Sequence, residues 1–124
     1  MSYNKENTYN KENIFYKIIK GEANSTKVFE NKNTLVIKNL YPKAPCHLLV
    51  LPKGEYESFT QFGLNATPEE KLDLIEAINS VIKEYNLDDA GYRLVANTGY
   101  YGGQSVPHFH IHILGGEKLA DFGL

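Results

Sequence analysis

The chain has 124 residues, 42% hydrophobic and 23% charged, with a formal charge of -2. That length suffices for one domain with its own core, and that balance excludes a largely disordered chain and any long-range attraction to nucleic acid or anionic lipid. The single cysteine, Cys46, excludes an internal disulfide and a Cys-x-x-Cys site, no apolar run approaches the roughly 20 residues that span a bilayer, and MSYNKENTYNKEN lacks the apolar centre of a signal peptide. The expectation is a cytoplasmic protein with neither nucleic acid nor membrane as partner.

The N-terminus carries an internal repeat, YNKEN, at Tyr3 to Asn7 and again at Tyr9 to Asn13. Its first copy has no apolar face to offset ordering entropy, so residues 1–12 are read as a disordered tail and 13–124 as one domain. Asn13 suits an N-cap, Ile14, Phe15, Ile18 and Ile19 recur at helical spacing, and Gly21 suits a stop. Lys27 to Glu30 and Leu35 to Lys38 flank the turn-prone triplet Asn31, Lys32 and Asn33, which predicts a β-hairpin. Pro42 and Pro45 break the chain before His47 to Leu51, an apolar run that reads as a central strand.

Thr67-Pro68-Glu69-Glu70 is a capping-box start for a long helix. Leu72, Ile75, Ile78, Ile82 and Tyr85 mark its apolar stripe, widened by Leu74 and Val81, and all seven are expected in the core against a sheet. Tyr92 to Ala96 and His108 to Leu114 read as the last strands, separated by a loop with Gly99, Gly102 and Gly103. The sum is an α+β domain with a mostly antiparallel sheet.

In a strand, alternate side chains share a face, so His108, His110 and His112 stand on one side, about 7 Å apart along the backbone, with Phe109, Ile111 and Ile113 on the other. Metal ligation is one use for such a row, with His47 or Cys46 as further ligands, although one extended strand spreads its ligands widely. The neighbours point elsewhere. Gly102-Gly103-Gln104-Ser105-Val106 offers flexible backbone with N–H donors and a hydroxyl, suited to phosphate oxygens in a chain without net positive charge. Beside a phosphate, a neutral imidazole is a nucleophile and its neighbours carry protons, which suggests displacement at phosphorus through a phospho-histidine type intermediate.

HFHIHIL, residues 108 to 114, fits the His-φ-His-φ-His-φ-φ signature (φ apolar), and the chain thereby resembles the histidine triad nucleotide-binding (HIT) family. GGQSV before it and LGG after it resemble the branch of purine nucleoside phosphoramidases, with further likeness in IFYKIIKGE, NLYPKAPCHLLVLPK and GYRLVANTG. The resemblance implies a HIT-like fold: a five-stranded, mostly antiparallel sheet with one long and one short helix.

It also implies P–N hydrolysis of purine nucleoside 5′-phosphoramidates, or of aminoacyl-adenylate-like compounds, with no cofactor required. His110 would be the nucleophile, His108 and His112 would position phosphate and protons, and His47 would complete the set. Gly103, Gln104, Ser105 and Val106 would contact phosphate and leaving group with help from Asn97, while Ile14, Phe15, Ile18, Ile37, Leu40 and Leu49 would line a purine slot. Taken singly, each of those apolar residues reads more readily as ordinary core. Asn39 stands where the family usually has an acid for the ribose hydroxyls, which predicts weaker nucleoside binding. Relatives of this branch are homodimers joined through the long helix and the Gly91 to Asn97 region. The same superfamily also contains dinucleoside polyphosphate hydrolases, and a non-catalytic nucleotide-binding regulator is a third reading.

Overall fold

In the computed structural model, which describes residues 8–122, Asn13 starts the first helix by accepting the Tyr16 N–H at 2.8 Å through its side chain. That helix, α1 (Ile14–Ile19), turns off at Gly21, whose φ of +78° suits a residue without Cβ. The predicted hairpin follows as β1 (Lys27–Glu30) and β2 (Thr34–Lys38), tied at its turn by Asn31, whose Oδ1 accepts from the Asn33 and Thr34 N–H groups. Then come β3 (Cys46–Pro52), α2 (Phe59–Asn65), α3 (Pro68–Glu84), β4 (Tyr92–Val95) and β5 (Ile111–Gly115). All four strand pairings are antiparallel, in the order β1-β2-β3-β5-β4, so β3 is central.

Alternation along these strands divides the interior in two. Val36, Leu48, Val50, Phe109 and Ile113 face α3 and pack with Leu74, Ala77, Ile78, Val81 and Ile82. Leu35, Ile37, Leu49 and Leu51 face the other way and pack with Phe15 and Ile18 of α1. The capping box at Thr67 and Glu70 forms as predicted, with both reciprocal hydrogen bonds present.

Three expectations need correction. Leu72 and Ile75 are 58% and 54% exposed, because the face of α3 turned to the sheet runs through Leu74, Ala77, Ile78, Val81 and Ile82. A second short helix, α2, stands where one short helix was expected; Ser58 caps it, and Phe62 packs its ring against Phe109 at 5.2 Å. The last strand starts at Ile111 rather than His108, and β4 ends at Val95 rather than Ala96. Of the expected tail, residues 1–7, including the first YNKEN copy, lie outside the described residues, while residues 8–12 lead into α1 with Tyr9 against the histidines. Among the described residues no helix is long and apolar enough to cross a membrane.

Candidate active site

All four histidines gather on the face of the sheet that carries α1. Strand register explains two of them: Leu49 of β3 lies opposite His112 of β5, so His47, two residues earlier on the same face of β3, stands diagonally beside His112. Their rings lie 5.2 Å apart, and His47 Nε2 is 2.9 Å from His112 Nδ1. His108 and His110 precede the ladder but keep the alternation, since Phe109 between them faces the α3 core. The ring of His110 lies 5.1 Å from that of His112 and edge-on to Phe15 at 4.8 Å.

The partners of the rings fix where their protons sit. His110 Nδ1 is 2.6 Å from the His108 carbonyl, an acceptor only, so Nδ1 carries the hydrogen and Nε2 keeps its lone pair. His108 Nε2 likewise donates to the Pro52 carbonyl at 2.7 Å, which leaves His108 Nδ1 to accept from the Tyr9 hydroxyl. His47 Nδ1 accepts from the Lys43 N–H at 2.9 Å, so its hydrogen is on Nε2 and points to His112 Nδ1; the hydrogen of His112 is then on Nε2. Every ring is thereby assigned one tautomer.

Burial keeps these rings uncharged. It pushes His108 down to about 4, a shift the Pro52 carbonyl partly opposes and nearby His110 reinforces, and it pushes His112 to about 4 with help from His110 and His47. His110 and His47 also lie below the ordinary imidazole value, through burial first, opposed in His110 by the His108 carbonyl and aided in His47 by the Lys43 charge. At neutral pH the site therefore offers a neutral nucleophilic nitrogen.

His110 belongs to the wall of a cavity of about 340 Å³ between α1, β2 and the loop before β5. All six residues expected for an apolar slot line it: Ile14, Phe15, Ile18, Ile37, Leu40 and Leu49. Phe15, Ile18, Ile37 and Leu49 are at once core of the α1 face and cavity wall, while Ile14 and Leu40 are exposed at its rim. Asn39, Ser105, Val106, His110 and His112, also expected at the site, line the cavity too. His47 and His108 are not part of this wall; His47 touches His112 and the His108 carbonyl holds His110.

The remaining expected residues lie outside the cavity. Gln104 is committed to the loop: its Oε1 accepts the Gly99 N–H at 2.9 Å, and its Nε2 donates to the Glu57 and Val106 carbonyls at 2.6 and 3.0 Å. Gly103 takes φ +75° in that loop, and a Cβ on Gly102 would meet the Thr98 carbonyl oxygen at 2.3 Å, so both glycines shape the turn that presents Ser105. Asn97 is half-buried at the end of β4. A second depression, about 410 Å³, opens on the far side of Ser105 beside Glu57, Ser58 and Tyr100. Sequence reasoning missed Asn24, Ser25, Lys38 and Tyr41, all of which line the cavity. Asn24 and Ser25 sit in an unstructured connection, with no pattern to mark them. Among the described residues no group of three or more His, Cys, Asp or Glu side chains is placed to hold a metal ion.

Comparison with known proteins meets this geometry from the other side. The family model described as HIT domain matches residues 20–119. An uncharacterized HIT-like protein of Rickettsia prowazekii is 42% identical over 111 residues, 90% of this chain and 92% of the relative. Among solved structures, a HIT family hydrolase from Clostridium thermocellum superposes with TM-score 0.81 at 34% identity, covering 91% of this chain and 97% of the other. A histidine triad nucleotide-binding protein from Candida albicans superposes with TM-score 0.74 at 27% identity, covering 89% and 85%.

Proposed function

The chain belongs to the HIT domain family, and from that premise we propose that it binds purine nucleotides and hydrolyses the P–N bond of nucleoside 5′-phosphoramidates, with His110 as nucleophile. One observation carries this reading: His110, its Nδ1–H tied to a carbonyl and its Nε2 left with a lone pair, belongs to the wall of a cavity lined by apolar side chains together with Ser105. The family neighbours from Clostridium thermocellum and Candida albicans bear the words hydrolase and nucleotide-binding, which supports the same class here.

A purine enters between Ile14, Ile18, Ile37 and Leu49, which places the α-phosphate between His110, His112 and Ser105. His110 Nε2 attacks phosphorus, forming an N–P bond as the P–N bond to the amine breaks. The electron pair leaves with the amine, which takes a proton from water at the cavity mouth. The ring becomes cationic in this step, and the His108 carbonyl on its Nδ1–H, together with the neutrality of His108 and His112, stabilises that charge. His112 Nε2–H donates to a phosphate oxygen. Water then attacks phosphorus, loses a proton, and returns the bonding pair to Nε2, which releases the nucleotide. The reading invokes no cofactor.

A homodimer completes the proposal. Strand β4 is an edge of the sheet, with Tyr92 and Leu94 exposed, and α3 packs chiefly across β1, β2 and β3. Leu72 and Ile75 are exposed on α3 itself. A second copy would cover both apolar sets at once.

The test is phosphorus NMR of adenosine 5′-phosphoramidate with the wild-type chain and with His110→Ala, chelator present in both. Conversion to AMP by the wild type alone is expected. Conversion of a diadenosine polyphosphate but not of the phosphoramidate would move the activity to P–O hydrolysis. AMP binding with no turnover of either would make the chain a nucleotide-binding regulator.

A further inference from the structure

The second YNKEN copy has a use that the reaction above does not absorb. Its first residue, Tyr9, and its last, Asn13, meet beside His108, 99 residues further along the chain from Tyr9. We propose that Tyr9 is a positioning residue of the histidine site, its hydroxyl donating to His108 Nδ1 so that the His108 proton stays on Nε2 and the ring behind the nucleophile stays uncharged. This rests on the reading of His110 as nucleophile.

The direction of each hydrogen bond is forced. Asn13 Oδ1 is used as the helix cap, accepting the Tyr16 N–H at 2.8 Å, and its Nδ2 donates to the Asn10 carbonyl at 2.7 Å and to the Tyr9 oxygen at 3.0 Å. Since the Pro52 carbonyl claims His108 Nε2–H, His108 Nδ1 has only a lone pair to offer, and the hydrogen between the two groups belongs to Tyr9. Tyr9 also packs its ring edge-on against His108, with centroids 5.7 Å apart, and against Tyr16 at 5.8 Å. Burial holds the Tyr9 phenol up at about 12, opposed by the Asn13 hydrogen bond and reinforced by Glu55, Tyr16 and Glu57, so it remains a donor throughout the working range.

The surroundings of His108 give that donor something to oppose. Glu55 and Glu57 face Tyr9 from the segment after β3, and Lys11 reaches Glu55 at only 3.9 Å on the exposed side. On His108 itself the Pro52 carbonyl favours a cation, whereas burial and His110 disfavour one, Phe15 adds an uncharged ring edge, and Tyr16 stands behind Tyr9. The only nitrogen of His108 that could take a second proton is the one the Tyr9 hydroxyl occupies. Because the His108 carbonyl also holds His110 Nδ1–H, a charged His108 would sit directly behind the ring that must itself become cationic during attack.

Tyr9→Phe keeps the ring and removes the donor. Histidine-ring NMR across an acid titration should show His108 protonating about one pH unit higher in the variant than in wild type, and the acid limb of the kcat profile should move up with it, a loss of about tenfold in relative rate below the limb. Asn13→Ser, which preserves a helix cap while withdrawing the amide from the Tyr9 oxygen, should move both in the same direction by less. A His108 titration unchanged in Tyr9→Phe would reduce Tyr9 to packing and overturn the proposal, as would a shifted titration with an unmoved rate profile. The ring titration needs no substrate, so absence of wild-type turnover would count against P–N hydrolysis alone, and the titration would still decide the place of Tyr9.

Discussion

The two faces of this sheet are made by the same strands and do opposite things. Toward α3, Val36, Leu48, Val50 and Ile113 present only hydrocarbon, and the helix closes over them with Leu74, Ala77, Ile78, Val81 and Ile82. Toward α1, the same strands present His47 and His112 among Leu35, Ile37, Leu49 and Leu51, and the six-residue helix covers only part of the face. One face is finished as a core, while the other stops short and leaves a cavity. The difference shows how four imidazoles, three buried and His112 half-buried, are held without charge: backbone groups, a neighbouring ring and the Tyr9 hydroxyl partner their nitrogens and leave His110 Nε2 its lone pair, and the opposite face supplies the rigidity.

The comparison breaks first at His110. If His110 is the nucleophile proposed above, His110→Ala should lower turnover by about three orders of magnitude or more while the far-ultraviolet spectrum and Tm change little, because the substitution falls on the face that is not finished as a core. A residual rate within tenfold of wild type would mean that another group attacks phosphorus. The mirror experiment is Leu48→Ala on the α3 face, where the side chain is 2% exposed and the surroundings are closely packed. It should cost about 2–5 kcal/mol by calorimetric or denaturant unfolding, with kcat of the folded fraction nearly preserved. Loss of kcat with little loss of stability would show that the faces are not separable.

Acid sharpens the contrast, because the buried groups that titrate near neutrality are on the α1 face. All four histidines lie below the ordinary value of 6.5 in the folded chain, His108 and His112 at about 4. Above 6.5 they are neutral whether folded or not and add no pH dependence. As pH falls from 6.5 toward 4, the unfolded chain binds protons that the folded chain excludes, so stability falls across that window. Tm should decline between pH 6.5 and 4, and turnover should keep its plateau below pH 6.5 before falling by up to about tenfold per pH unit. A plateau that already fails above pH 6.5 would mean that the nucleophile is not shielded as the structure has it.

Much of this organisation was legible in the chain because it rests on local chemistry. Asn13 and Thr67 announce helix starts through caps, the Asn-rich turn announces the hairpin, and alternation in HFHIHIL sorts three histidines from three apolar residues. What escaped depends on partners distant in sequence. Leu72 and Ile75 have helical spacing, but periodicity marks an apolar arc without saying which part of it meets the sheet. Helix α2 has seven residues with Gly63 inside, too short to show a period, although Ser58 is the kind of cap that could have betrayed it. Gln104 looked like a phosphate contact because it sits in GGQSV, yet its amide is spent on Gly99, Glu57 and Val106, two of them within its own loop. Tyr9 lay in a polar repeat with no apolar face, and only the fold brings His108 to it.

The smallest effect lies at the edge of the α1 face, at Asn39. Its amide stands between two N–H donors: the Tyr41 backbone N–H, 2.9 Å from Oδ1, and His47 Nε2–H, 3.1 Å from Nδ2. An amide can accept from one of these and must present its own N–H to the other; turning it over only exchanges the two. Nδ2 therefore faces a ring nitrogen that already carries a hydrogen for His112. A carboxylate has no such conflict, since one oxygen accepts from Tyr41 and the other is left for His47 and for a ribose hydroxyl. Asn39→Asp should tighten AMP by about fivefold in calorimetry, the worth of one hydrogen bond to a charged acceptor after the added negative charge near the phosphate has taken its share. With 2′,3′-dideoxy-AMP that compensation is absent, so the same substitution should weaken binding. Equal gains for both ligands would show that the carboxylate acts through His47 rather than on the ribose, and a weaker AMP complex would remove position 39 from nucleoside recognition.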